Sequence, residues 1–252
     1  MRNIRVIARL DIKNNYLIKG IHLEGLRKLG NPYDFAQNYF KSGIDEIIYM
    51  DSVASLYNRN SLNEIIQETS KNIFIPITVG GGIRSIDDAY KILRSGADKI
   101  AINTAAIENL RLVEDLSNRF GSSTIVISVE AKKKENNIWE AYTNNGREKT
   151  GLDVIKWSIE AEKLGAGEIL LTSVDKEGTG KGFDYELIKE VSSKIYIPLI
   201  ASGGMGDINH FEKVVKYSQC DGVAIADMLH YSKIKVDDIK NFSSKNNINI
   251  RN

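Results

Sequence analysis

Residues 7–13 read IARLDIK, and about 120 residues later 125–132 read IVISVEAK: two apolar runs, each ending in a carboxylate, Asp11 and Glu130. The same lag pairs GIDEI at 43–47 with GAGEI at 165–169, TVGGGI at 78–83 with IASGGM at 200–205, and DKIAI at 98–102 with DGVAI at 221–225. Four matches in one order at one spacing mark an internal duplication. Short β-branched runs recur at 4–10, 46–50, 75–79, 99–102, 124–129, 168–171, 197–201 and 222–226. They are nearly continuous in apolar character, as strands covered on both faces are. Amphipathic stretches at 85–93, 109–120, 151–164 and 185–193 lie between them. Strand and helix alternate eight times, which predicts an α/β fold, a (β/α)8 TIM barrel with a two-fold half-barrel repeat. The expected organisation is one domain over 1–252, with half-barrels of about 1–120 and 121–245.

The bulk numbers agree. A chain of 252 residues matches the roughly 250 that eight strand–helix units need. It buries enough surface to fold without a disulfide or structural metal. The one cysteine, Cys220, reads as a buried thiol in a reducing compartment. Charge is balanced, 34 Lys+Arg against 33 Asp+Glu, so nothing points to nucleic acid. No apolar run approaches the ~20 residues of a membrane span, and the first three residues lead into a strand rather than a signal sequence. A cytoplasmic, membrane-free protein is expected.

Two segments break the rhythm, both after carboxylate-bearing strands. Residues 14–32 form a long connection containing Lys19; residues 131–151 carry Asn144-Asn145-Gly146 and suggest a small hairpin ahead of a helix. Loops after strands sit on the C-terminal rim, where barrels of this kind hold their sites. Asp11 and Glu130 thus end on that rim half a barrel apart. Facing carboxylates can divide proton transfer between a base and an acid, although a lone strand-end Asp is more often a structural cap. The duplicated placement favours chemistry.

Gly80-Gly81-Gly82 and Gly203-Gly204 each follow a strand and precede a helix, where backbone N–H groups can approach a phosphate. Asn103 and Thr104 follow the next strand in the first half, and Asp227 follows it in the second. Two such cups imply a long phosphorylated small molecule with an anionic group at each end. Arg5, Glu46, Lys99 and Glu168 fall at strand starts, at the bottom of the barrel, where a stabilising salt-bridge ring is the ordinary role and a polar entrance to the axis the alternative. His22, His210 and His230 share no ligand spacing, so no metal and no cofactor are expected. Tyr16, Tyr33, Tyr49 and Tyr57 read as packing or rim residues.

Taken together, ARLDIK, LIKG, PITVGGGIRS, ADKIAINTAA, NNGREKTG, GAGEILLTSVDKEGT, IASGGMG and LHY resemble the HisF family, the cyclase subunits of imidazole glycerol phosphate synthase. The likeness runs from the first strand to about residue 240. It implies a HisH-type glutaminase docked on the N-terminal face, whose ammonia crosses the barrel to the rim. There it attacks N-phosphoribulosylformimino-aminoimidazole carboxamide ribotide, giving imidazole glycerol phosphate and aminoimidazole carboxamide ribotide. By this resemblance Asp11 and Glu130 occupy the catalytic positions. Lys19 is a substrate-side lysine. Gly82, Asn103 and Thr104 form one phosphate cup; Glu177, Gly178, Gly204 and Asp227 belong to the other; Arg5, Glu46, Lys99 and Glu168 form an ammonia gate.

The sequence departs from the family at the site. Glu130 and Glu177 stand where the family has Asp, Asp227 where it has a phosphate-contacting Ser, and Arg9 where it has a small residue. A carboxylate about 4 Å from a phosphate costs roughly 4 kcal/mol per charge pair at an effective dielectric near 20, unless a cation such as Lys181 compensates. A ~1 Å displacement of a catalytic carboxylate can cost about a hundredfold in rate. ARLDIK, GIHLEG and ISVEAK also resemble a HisF-like branch that pairs with a glutaminase and a separate ATP-dependent amidotransferase, amidinating N-acetylated sugars for surface polysaccharides. That branch supplies a second reading, in which the barrel is chiefly an ammonia conduit.

Overall fold

The computed structural model describes residues 3–54, 62–135 and 137–251. Tyr57 and the first two residues lie outside them. In chain order, β1 (Arg5–Lys13) runs into a hairpin, β2 (Tyr16–Ile21) and β3 (Glu24–Gly30), and then α1 (Pro32–Lys41). Next come β4 (Glu46–Asp51), α2 (Asn63–Asn72), β5 (Ile77–Gly80), α3 (Ile86–Arg94), β6 (Lys99–Ile102), and the pair α4 (Thr104–Glu108) and α5 (Leu110–Phe120). The second half repeats this plan. β7 (Ile125–Glu135) feeds a second hairpin, β8 (Ile138–Thr143) and β9 (Glu148–Asp153), then α6 (Val154–Lys163). After it come β10 (Glu168–Ser173), α7 (Tyr185–Ser192), β11 (Leu199–Ser202), α8 (Ile208–Tyr217), β12 (Gly222–Ile225), α9 (Asp227–His230) and α10 (Val236–Lys245).

The eight strands β1, β4, β5, β6, β7, β10, β11 and β12 pair in parallel, and β12 returns to β1, so the barrel closes. The duplication is visible in the architecture. A rim hairpin follows the first strand of each half, and a short helix precedes the long one after the last. The hairpin in 131–151 matches the expectation. The one in 14–32 is additional, standing where the sequence predicts a plain connection. Asn14 and Asn15, both at positive φ (49° and 65°), make the two-residue turn into β2, a conformation that Asn tolerates. Strands β5 and β11 start at Ile77 and Leu199, two residues later than expected. Pro76 and Pro198 precede them, and proline has no N–H to donate to a ladder.

Helices are set by their ends. Ser85 caps α3 by accepting from Asp88 N at 3.1 Å, and Asp153 caps α6 by accepting from Lys156 N at 2.9 Å. Ala89 and Ile92, one turn apart on α3, face the strands. The main core therefore lies between the strand exteriors and the helices. A separate, smaller core fills the lumen: Ile7, Ile48, Ala101, Val126, Leu170, Ile200 and Ala224. The barrel is a packed cylinder with polar chemistry confined to its two ends.

Candidate active site

Strand β1 defines the axis. Side chains alternate along a strand, so the lumen-facing set that includes Ile7 also takes Arg5, Arg9 and Asp11. Arg5 lies at the bottom in a closed ionic ring. Its guanidinium donates to Glu46 at 3.0 Å and to Glu168 at 2.6 Å; Lys99 Nζ reaches Glu168 at 2.9 Å and Glu46 at 3.6 Å. Burial opposes the Arg5 charge, but Glu168 and Glu46 more than offset it and hold its pKa above the ordinary value. The apolar lumen layer comes next, and the rim above it.

At the rim, Asp11 is buried and accepts from Arg9 Nε at 3.0 Å. Burial alone would raise its pKa, yet Arg9 and the Lys19 ammonium hold it below the ordinary carboxylate value, so Asp11 stays ionised. Glu130 is equally buried, but its hydrogen-bond partner is neutral: its Oε2 accepts from Gly146 N at 2.7 Å. Desolvation dominates there and pushes the carboxyl up to about 7, against the pull of Arg9 and the Gly146 N–H. Two facing carboxyls with pKa values driven apart can serve as a fixed carboxylate and a proton donor–acceptor near neutral pH.

Lys19, from β2, and Glu177, after β10, form a buried ion pair beside Asp11. A ligand in the open cleft competes with Glu177 for the Lys19 ammonium. His230, from α9, lies beneath, its Nδ1 2.7 Å from the Tyr39 hydroxyl and its ring stacked on that tyrosine. Burial and the neighbouring Lys19 lower its pKa to about 4, so it is neutral under ordinary conditions.

The two glycine turns open unequally. In the first half, Gly81 and Gly82 (φ 101° and 73°), Asn103, Thr104, Asn144 and Asn145 line a cavity of about 270 Å³ that Glu130 also borders. Positive φ turns successive N–H groups toward one point, a conformation glycine adopts without strain. Thr104 Oγ1 accepts from Asn144 N at 3.1 Å and keeps its own O–H to donate. In the second half, the recess bounded by Glu177, Gly178, Gly203, Gly204 and Asp227 holds only about 20 Å³, room for about one water. A Cβ on Gly204 would stand 2.2 Å from the Gly182 carbonyl oxygen, so this turn packs directly on the preceding loop. Outside the recess lies an open cleft of about 740 Å³ between Lys19, Gly178, Gly180, Asp227 and Lys233.

Asp227 is paired with Lys233 at 2.6 Å, whereas Lys181, the cation suggested by sequence, is exposed. The rim hairpins meet over the site, where Asn145 Nδ2 donates to Leu23 O at 3.3 Å and His22 N to Glu177 O at 2.9 Å. Among the described residues, no cluster of His, Cys, Asp and Glu could hold a metal ion, and no helix is long and apolar enough to cross a membrane. Sequence reasoning gave no role to Tyr39, Thr172, Ser202 or Lys233. The links of Tyr39, Thr172 and Ser202 to His230 and Arg9 join distant segments, which no local spacing announces, whereas Lys233 lies 6 residues from Asp227.

Comparisons with known proteins place the chain in a family. The family model for histidine biosynthesis proteins matches residues 5–235. A Legionella pneumophila protein named imidazole glycerol phosphate synthase subunit HisF is 62% identical over 211 residues, covering 84% of this chain and 100% of the relative. HisF proteins of Sulfurisphaera tokodaii (44% identical, 98% of each chain) and Clostridium beijerinckii (43%, 100% of each) are similar from end to end. A (β/α)8 barrel with a charged lower ring, facing carboxylates on its rim and relatives of this identity belongs to the histidine biosynthesis protein family, as one of its HisF members.

Proposed function

We propose that this chain is the HisF-type cyclase subunit of an imidazole glycerol phosphate synthase. It takes ammonia from a HisH-type glutaminase seated on the N-terminal face and uses it at the rim on the phosphoribulosylformimino ribotide. The observation that carries this reading is the carboxyl pair: Asp11 held ionised by Arg9 and Lys19, and Glu130 buried with a pKa near 7. Asp11 stabilises cationic character developing on the attacked carbon and nitrogen. Glu130 takes up and returns protons during ring closure and elimination. Gly82, Asn103 and Thr104 hold one phosphate; Gly178 and Gly204 border the other end of the ligand, and Lys19 leaves Glu177 to meet it. Arg5, Glu46, Lys99 and Glu168 admit ammonia at the bottom, and the apolar lumen layer keeps it neutral on its way up.

Isotope transfer tests this. The chain, its glutaminase, the ribotide and glutamine labelled in the amide nitrogen are mixed in excess unlabelled ammonium. Label retained in the imidazole product supports the reading, and full dilution by the ammonium pool overturns delivery through the barrel.

One observation favours a second reading. The second recess is water-sized and flanked by the carboxylates of Glu177 and Asp227, which disfavours a phosphate dianion there. In this reading the barrel passes ammonia to a separate ATP-dependent sugar amidotransferase. Its mark is glutamine-dependent amidination of an N-acetylated sugar by the mixed proteins, with no loss of ribotide.

A further inference from the structure

We propose that Arg9 is a second gate, closing the barrel axis at the top of the apolar layer as the Arg5 ring closes it at the bottom. The inference rests on the proposed use of ammonia at the rim. Its basis is where the guanidinium ends. Arg9 leaves β1 two residues beyond Ile7 and is buried. Its Nη1 donates to Thr172 Oγ1 at 2.7 Å and to Ser202 Oγ at 3.2 Å, while Nε holds Asp11 at 3.0 Å. In the closed barrel β1 is followed by β12, β11 and β10, so Thr172 on β10 lies three strands away around the wall. A side chain bonded to both β1 and β10 crosses the lumen.

The fork is built as a latch rather than as a plug. One end is held by a charge, the Asp11 carboxylate, and the other by two neutral hydroxyls. The Asp11 end adds the attraction of an opposite charge, which the two hydroxyls lack, so the hydroxyl end releases first. Rotation of the guanidinium off Thr172 and Ser202, pivoting on Asp11, opens the axis without unpairing either buried charge. Between the two closures lies the packed apolar layer of Ile7, Ile48, Val126, Leu170 and Ile200. None of these side chains can protonate ammonia. Because the latch pivots on Asp11, opening is coupled to the residue that faces the acceptor, and ammonia is released when the rim is occupied.

The test removes the far anchors and leaves Arg9–Asp11 intact, using the full chain with its glutaminase. In Thr172→Val/Ser202→Ala, imidazole product formed per glutamate released falls at least threefold, while kcat/KM with ammonium salt changes less than threefold. An unchanged product-to-glutamate ratio overturns the gate, and equal losses with both nitrogen sources assign the two hydroxyls a purely structural role. Hydrogen exchange of the Arg9 Nε–H in the isolated chain, read by nitrogen NMR, is independent of the ribotide. It is slowed at least a hundredfold relative to free arginine in the wild type and at least tenfold less slowed in the double variant. Free-arginine exchange in the wild type overturns the closure itself. Failure of the wild type to consume the ribotide, with the exchange result intact, instead overturns the proposed reaction.

Discussion

Replacing Glu130 by Gln should make the protein's stability less sensitive to alkaline pH, by an amount the structure fixes. Glu130 is buried and titrates near 7 in the fold, against an ordinary value of 4.5. The fold therefore binds this proton more tightly than the unfolded chain does. Its contribution is complete below about pH 4.5, declines as pH rises, and is lost once pH passes the folded value near 7. The difference between the two pKa values corresponds to about 3 kcal/mol, the cost of ionising a carboxyl whose main neighbour is the Gly146 N–H. Glutamine can accept that same N–H and cannot ionise. Urea unfolding of wild type and Glu130→Gln between pH 4.5 and 8.5 should show the variant gaining about 3 kcal/mol on the wild type across the range. Parallel stability curves would mean that Glu130 titrates alike in both states and carries no such raised pKa in the fold. The variant should also lose turnover, since the group that moves protons near neutral pH is gone.

Other substitutions probe the remaining groups. Lys99→Ala removes the cation that reaches both Glu46 and Glu168; glutamine-dependent product formation should fall severalfold while turnover with ammonium salt is largely kept, and equal loss with both would make Lys99 structural only. Asp11→Asn strands the buried Arg9 without its carboxylate and should cost about 3 kcal/mol in urea unfolding, as breaking one side of a buried pair does. Adding Arg9→Met should recover most of that stability but no activity, and absence of recovery would show that the two are not coupled. Asp227→Ser removes a carboxylate from the second recess; because Lys233 already offsets part of its charge, the gain is smaller than the bare ~4 kcal/mol, about tenfold in affinity for inorganic phosphate. Unchanged phosphate binding would show that Asp227 does not guard that end.

Much of the fold was legible because the duplication shows each strand twice. The carboxylate-ended strands, the glycine turns and the charged strand starts fall where period and order place them, and β6 has the expected bounds. The strand starts at 75 and 197 were misplaced because apolarity continues through Ile75 and Ile197, whereas hydrogen bonding cannot pass Pro76 and Pro198. The first hairpin is hard to see in the sequence because its second strand, EGLRKLG, is polar and largely exposed, and only Asn14-Asn15 marks the turn. The site was legible as single residues but not as pairs. The Lys233–Asp227 pair spans only 6 residues, but that Lys19 pairs with Glu177 and that Arg9 spans to Thr172 and Ser202 depend on barrel closure. Those last two partners lie 163 and 193 residues away in sequence. The unequal cups likewise follow from how closely Gly204 packs on Gly182, a tertiary distance no motif encodes.

Whether Asp11 and Glu130 form a working cyclase site is tested most directly by incubating the purified chain with the phosphoribulosylformimino ribotide and saturating ammonium salt, following ribotide loss together with both products. Sustained turnover should yield imidazole glycerol phosphate and aminoimidazole carboxamide ribotide in equal amounts and disappear in Asp11→Asn. A folded wild-type chain that leaves the ribotide intact under saturating ammonia would contradict the cyclase reading.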